Sequence, residues 1–235
     1  YIYIYIYIIY IYMDLKKKYM EYIKTKKYFL KAKNKDDLRI STYNIHYWSD
    51  VWENDSLKKI LDDIKYINAD IICLQEVIFG IKYKLSNKII NTENVISRLN
   101  NMGYYTIFCN TLPTWYGGIY GNMICIKKKY TNYITTTNFT FDKSKKTCVV
   151  SGGIDGIKET RCYILLELKK YIIICCHLDV CSELERKKQI KYIINLLNKK
   201  EYKNKKSILL GDLNTTDINQ YTEKEKKKKY IKICI

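Results

Sequence analysis

The chain has 235 residues, 47% of them hydrophobic and 28% charged, with a formal net charge of +18. That length and apolar share exclude a disordered or collagen-like chain and suffice for one domain with a sizeable core. No run of 18 apolar residues occurs, so no spanning helix is expected, and nine Cys without a CxxC beside only two His (His46, His177) argue against a zinc finger or a multi-His metal site.

Residues 1–12 alternate Tyr and Ile, the period of a strand with two apolar or aromatic faces. A TATATA repeat read in frame encodes the same string. Met13 is therefore the expected start, with 1–12 an untranslated or unstructured extension, and residues 13–37 a Lys-rich leader. No basic region precedes the apolar stretch, so a signal peptide is not expected, and the Cys read as reduced thiols of an intracellular protein, cytoplasmic or nuclear.

From Leu38 the pattern becomes regular. Leu38–Asn44 reads as a strand, and Leu57, Ile60, Leu61, Ile64 and Ile67 give 56–67 the spacing of an amphipathic helix. Asp70–Gln75 reads as a buried strand. Residues 92–102 form a helix with Val95, Ile96 and Leu99 inward. Strands are expected at 104–109, 120–127, 133–140 and 160–168, and 171–177 pairs with the last through a turn at Lys169–Lys170. Ser182 and Glu185 form a capping box that opens a helix with Ile190, Ile193, Ile194 and Leu197 inward. Ser207–Leu210 is a final strand. Helices mixed with many strands indicate an α/β or α+β domain with at least one large sheet.

The charge is less informative than it first looks. Lys is spread over the whole chain, 38 Lys against four Arg, as AT-rich coding would produce. Non-specific affinity for polyanions follows from it; specificity does not. An Arg in such a background, as at Arg161, is expected where its rigid bidentate fork is needed.

Four apolar runs stop abruptly at residues suited to metal or phosphate chemistry. They stop at Asn44, at Glu76, at His177 with Asp179 two residues on, and at Asp212 with Asn214 two residues on. Ligands of helix-flanked sheets bind beyond strand ends. Two carboxylates, an imidazole and two amides converging there would hold Mg²⁺ and a phosphate.

These residues resemble the endonuclease/exonuclease/phosphatase superfamily, the DNase I-like and sphingomyelinase-like metal-dependent phosphoesterases. The matching blocks run in the family's order: Thr42-Tyr43-Asn44, Ile72-Cys73-Leu74-Gln75-Glu76-Val77, Tyr120-Gly121-Asn122, Glu159-Thr160-Arg161, Cys176-His177-Leu178-Asp179 and Gly211-Asp212-Leu213-Asn214. The resemblance implies a four-layer α/β/β/α sandwich over 38–214, between the leader 1–37 and a basic tail 215–235. It implies hydrolysis of a phosphodiester or phosphomonoester dependent on Mg²⁺ or Mn²⁺. Carried over, Glu76 binds the metal with Asn44 beside it, Asp212 activates water, Asn214 holds the phosphate or the base, and His177 hydrogen-bonds the scissile phosphate. Arg161 supports the site or contacts phosphate, and Asp179 orients His177. Tyr120 and Asn122 are supporting residues. Arg186 and Gln189 buttress the site from the capped helix, and His46 is a rim residue.

Family members normally end in a Ser-Asp-His block, whereas here 21 residues follow Asn214 and none is His. The sequence therefore reads as truncated, the sandwich as incomplete at its C-terminal end, and the activity of this chain as weak or absent. Two other functions are weighed beside the enzyme: an inactive relative acting as a binding protein, and a basic nucleic-acid-binding module. Nucleic acid, phospholipid and inositol phosphate are all open as substrates. The segment 110–119, with Pro113, Trp115 and Tyr116, is a candidate substrate-facing loop, and no aromatic platform favouring DNA is evident.

Overall fold

A computed structural model describes residues 37–50, 53–85, 88–113, 119–139, 148–149, 158–159, 161–180 and 182–215. The expectations for 1–36, for 216–235 and for 114–118 of the candidate loop fall outside the described residues.

Two four-stranded mixed sheets lie face to face. The first has the order β1-β2-β6-β5, built from β1 (Ile40–Asn44), β2 (Ile71–Phe79), β5 (Tyr104–Pro113) and β6 (Ile119–Lys127). The second has the order β12-β11-β10-β7, built from β7 (Ile134–Phe139), β10 (Tyr163–Leu168), β11 (Tyr171–His177) and β12 (Lys206–Asp212). Small pairs β3 (Lys82–Leu85) with β4 (Lys88–Asn91), and β8 (Cys148–Val149) with β9 (Lys158–Glu159), complete the strands. Helices α1 (Leu57–Ile67) and α2 (Val95–Asn101) contribute to the core on the outer face of the first sheet, and α3 (Glu183–Leu197) to that of the second. The layers are α/β/β/α, as expected.

The layering follows from strands that are apolar on both faces. In β2, Ile72 and Leu74 join the core shared with α1 and α2, while Ile71 and Cys73 join the core between the sheets. In β11, Ile173 and Cys175 face the other sheet while Ile172, Ile174 and Cys176 face α3. A fully buried Ile or Leu contributes about 1.5–3 kcal/mol, so the sandwich supplies most of the stabilisation. All six cysteines whose side chains are described are buried.

Local elements depart from expectation in four places. Glu76 lies inside β2 rather than just past it, because the strand continues through a register shift between Leu74 and Val77. On α3, Ile194 is 39% exposed and Leu196 is buried in its place, because the helix also turns the polar Gln189 inward. The helix expected over 92–102 is shorter, Val95–Asn101, with Asn91 Oδ1 and the Thr92 main chain turning the backbone ahead of it. The capping box is half present: the Ser182 Oγ accepts from the Glu185 N–H at 3.3 Å.

One glycine is indispensable to the packing. Gly211 has φ +142°, and a Cβ there would lie 1.8 Å from the carbonyl oxygen of Cys176 on β11. Gly211→Ala is expected to destabilise the protein by about 3 kcal/mol or more, read as a lower urea midpoint. An unchanged midpoint would show that β11 and β12 do not approach this closely.

Candidate active site

In each sheet an edge strand and its neighbour form a parallel pair, and the site residues lie at the ends of these pairs. β1 runs parallel to β2, and β11 parallel to β12 in a register that sets His177 opposite Asp212. Counting by twos from the inter-sheet core residues Ile40, Ile173 and Ile208 gives Asn44, His177 and Asp212. These three side chains belong to the inward-facing set of their strands. Glu76 does not fit this count, because Leu74 points outward. A β-bulge corrects it: Glu76 adopts φ +58° and Val77 resumes the outward position. Bulges re-aim side chains in this way beside sites.

The result is a cluster in which ligand atoms of Glu76, His177 and Asp212 all lie within 4.8 Å of one another. The Asn44 Nδ2 donates to Glu76 Oε1 at 2.8 Å and to Asp212 Oδ2 at 2.9 Å, bridging two carboxylates from different sheets. The Asn44 Oδ1 accepts the His46 main-chain N–H at 3.0 Å. Asn44 thus turns its amide NH₂, not its oxygen, to the carboxylates. Asp212 Oδ1 accepts from the Asn214 N–H at 2.8 Å, and the Asn214 Nδ2 donates to Leu178 O at 2.8 Å. Both Asp212 oxygens are therefore oriented by asparagines.

His177 Nε2 stands 3.9 Å from Glu76 Oε1 and 3.8 Å from Asp212 Oδ2. On its other side the Arg161 Nη1 lies 3.1 Å from Nδ1 and 3.4 Å from Nε2. Burial, and after it the Arg161 charge, hold the imidazole well below its usual range. The contacts to the carboxylates are therefore those of a neutral ring rather than ion pairs.

The remaining expected residues are placed around this cluster. The Asp179 carboxylate accepts from the Ser182 N–H at 2.6 Å, while its own N–H donates to Gln189 Oε1 at 2.9 Å. The Arg186 Nη1 donates to Asp179 O at 3.0 Å. Asp179, Arg186 and Gln189 thus tie the end of β11 to α3. The Asn122 Nδ2 donates to Cys162 O at 3.0 Å, joining the two sheets next to Arg161. Tyr120 is buried and stacks on Tyr47, ring centroids 5.5 Å apart.

Two contributors carry no clear sequence signal. Gln75 is buried between the sheets, its Oε1 taking the Thr42 hydroxyl at 3.2 Å and its Nε2 facing Cys175 Sγ at 3.4 Å. The turn His46–Trp48 has three successive left-handed residues, φ 44°, 57° and 67°. Only a buried polar residue ahead of Glu76, and a Trp in a polar stretch, hinted at either.

The sequence profile of the Endonuclease/Exonuclease/phosphatase family matches residues 42–224. The chain belongs to this family. Family members are hydrolases of phosphoester bonds. No curated protein matches the sequence. Among solved structures, the chain is similar to an endonuclease/exonuclease/phosphatase from Beutenbergia cavernae, with 20% identity and a TM-score of 0.57 over 77% of this chain and 49% of that one. A family protein from Leptotrichia buccalis gives 20% identity and a TM-score of 0.54, over 77% and 69% of the two chains. TDP2 from Caenorhabditis elegans gives 16% and 0.51, over 86% and 58%. The chain therefore spans about half the length of the Beutenbergia protein. The shared fold with this family agrees with the α/β layering. Among the described residues no helix is long and apolar enough to cross a membrane.

The state of His177 sets a pH dependence. A lowered folded-state pKa means that the unfolded chain binds the proton more readily, so stability is full above the unfolded value of 6.5 and falls as pH drops below it. In EDTA, the free energy of unfolding should decline by up to about 1.4 kcal/mol per pH unit in that range. His177→Gln should remove that component. A slope unchanged by the substitution would place the proton elsewhere.

Proposed function

We propose that this chain is a divalent-metal-dependent phosphoesterase acting on a phosphodiester or phosphomonoester. The convergence of Glu76, His177 and Asp212 from three strands of two sheets supports this reading most directly. Hard carboxylate oxygens suit Mg²⁺ or Mn²⁺, and Glu76 and Asp212 would hold the ion, while Asn44, expected as a ligand, aligns both carboxylates through its amide NH₂. When bound, such an ion stabilises charge developing on phosphoryl oxygens.

The side chains supply the rest. Asp212 orients the attacking water and accepts its proton at a carboxylate oxygen, a role suited to a group already aligned on both oxygens. A neutral His177 keeps one ring N–H, which it donates as a hydrogen bond to a phosphoryl oxygen. Asn214 contacts the phosphate or the base. Arg161 adds positive potential behind His177, Asp179 fixes the loop after it, and Tyr120 and Asn122 support the two walls. Nucleic acid, phospholipid and inositol phosphate are the substrate classes in view, and the charge of +18 draws such polyanions to the surface. Cysteines buried in the core favour an intracellular setting, cytoplasmic or nuclear.

Hydrolysis of bis-p-nitrophenyl phosphate with Mg²⁺ or Mn²⁺, against EDTA, tests the proposal. Glu76→Ala and Asp212→Asn should each lower kcat about 100-fold or more without lowering Tm. Turnover indifferent to EDTA or to both substitutions would overturn it. Metal-dependent phosphate binding without turnover would instead favour a non-catalytic binding protein.

A further inference from the structure

Gln75 is an unexpected occupant of the space between the sheets. It is buried, and the side chains counted with it along β2, Ile71 and Cys73, belong to the apolar inter-sheet core. Its amide spans that core. The Oε1 accepts the Thr42 hydroxyl of β1 at 3.2 Å, and the Nε2 donates to the Cys175 Sγ of β11 at 3.4 Å. One side chain thus links three strands drawn from both sheets. A thiol is a weak acceptor, so these bonds do not fully match what the amide gives up by leaving water. A carbon side chain of the same length would fill this place without that cost. Stability therefore does not account for the amide.

Its place in the fold does. Thr42 lies two residues ahead of Asn44, Gln75 one ahead of Glu76, and Cys175 two ahead of His177. Inward side chains recur every second residue along a strand, so Thr42 and Cys175 sit one inward step below Asn44 and His177. Gln75 shares their layer yet directly precedes Glu76, because of the bulge. Leu74 pairs with Met123 and Val77 with Gly121, so two residues of β2, Gln75 and Glu76, stand opposite one of β6, Asn122. Glu76 is the left-handed member, with φ +58°. If the extra residue fell one place later, Glu76 would stay in the outward set and leave the cluster. The Ile45 N–H donates to Gln75 O at 3.1 Å and holds the main chain at this point from the β1 side.

We propose that Gln75 is a positioning residue: its amide, fastened to Thr42 and Cys175, fixes the place of the bulge and thereby turns Glu76 into the metal-binding cluster. Setting register is the best-supported use of a polar group in an apolar core. The inference rests on the metal-dependent reading of the site and goes beyond it, since it assigns to a side chain outside the cluster the geometry of a ligand inside it, at the expense of stability.

Mn²⁺ binding by the full chain, followed as loss of the free-ion EPR signal, tests this, with melting in EDTA alongside. Gln75→Met keeps the length and removes both hydrogen-bonding ends. It should weaken Mn²⁺ binding about tenfold or more, the size of effect expected when a group that orients a metal ligand is lost, while Tm in EDTA stays level or rises. A residue that merely stabilises the core would do the reverse, lowering Tm and leaving Mn²⁺ affinity alone, and that result would overturn the proposal. Thr42→Val should weaken Mn²⁺ binding in the wild-type background but add nothing to Gln75→Met. Thr42→Ser, which keeps the hydroxyl, should bind as the wild-type chain does. Additive effects of Thr42→Val and Gln75→Met would contradict a shared device. Should Gln75→Met not fold, Thr42→Val against Thr42→Ser decides, and equal affinity in the two would sink the proposal. Glu76→Ala separates this inference from the reading beneath it. If Glu76→Ala binds Mn²⁺ as tightly as wild type, the metal site itself is misplaced. If it loses the ion while Gln75→Met holds it normally, the site stands and only the role of Gln75 falls.

Discussion

The structure turns on bringing two carboxylates from different sheets close together. Glu76 ends the regular part of β2 and Asp212 ends β12, and like charges at such range repel each other. The amide NH₂ of Asn44 lies between them and donates to both. This three-residue bridge clasps the sandwich at one edge, and it needs both sheets to present their strand ends in register. The parallel pairing of β1 with β2 and of β11 with β12 provides that register.

Reaching that arrangement costs backbone strain at defined points. Glu76 is left-handed within a strand, His46 to Trp48 are left-handed in succession, and Asn214 has φ 48°. Such residues cost on the order of 1–3 kcal/mol each and persist only where the surroundings over-determine them. Here the surroundings are the doubly buried strands, whose apolar faces fill the layers on both sides. Gly211 belongs to the same logic, since only a residue without Cβ lets β12 approach Cys176 ahead of Asp212.

The electrostatics divide the site into two sides. The carboxylates and Asn44 form one, suited to a cation. Arg161 and a neutral His177 form the other, suited to the anionic oxygens of a phosphoryl group. His177 stands between them, near Glu76 and Asp212 on one side and Arg161 on the other. An arrangement of both signs within one small volume is what the proposed joint binding of a metal and a phosphate rests on.

The sequence alone determined which strands are buried on both faces and where polar residues end them, while the four layers were implied by the family resemblance. Runs such as Ile71–Leu74 and Ile172–Cys176 are apolar without alternation, which only strands buried on both faces tolerate, and each stops at one polar residue. That abrupt stop made Asn44, Glu76, His177 and Asp212 visible, because a polar residue after such a run needs a reason. Tertiary structure decided how they meet. The bulge that turns Glu76 inward arises from pairing with β6, and no local signal encodes it. The inward turn of Gln189 depends on the Asp179 N–H that its side chain must receive. Composition and periodicity record which surfaces avoid water; which side chains touch depends on register and on single hydrogen bonds between residues far apart in the chain.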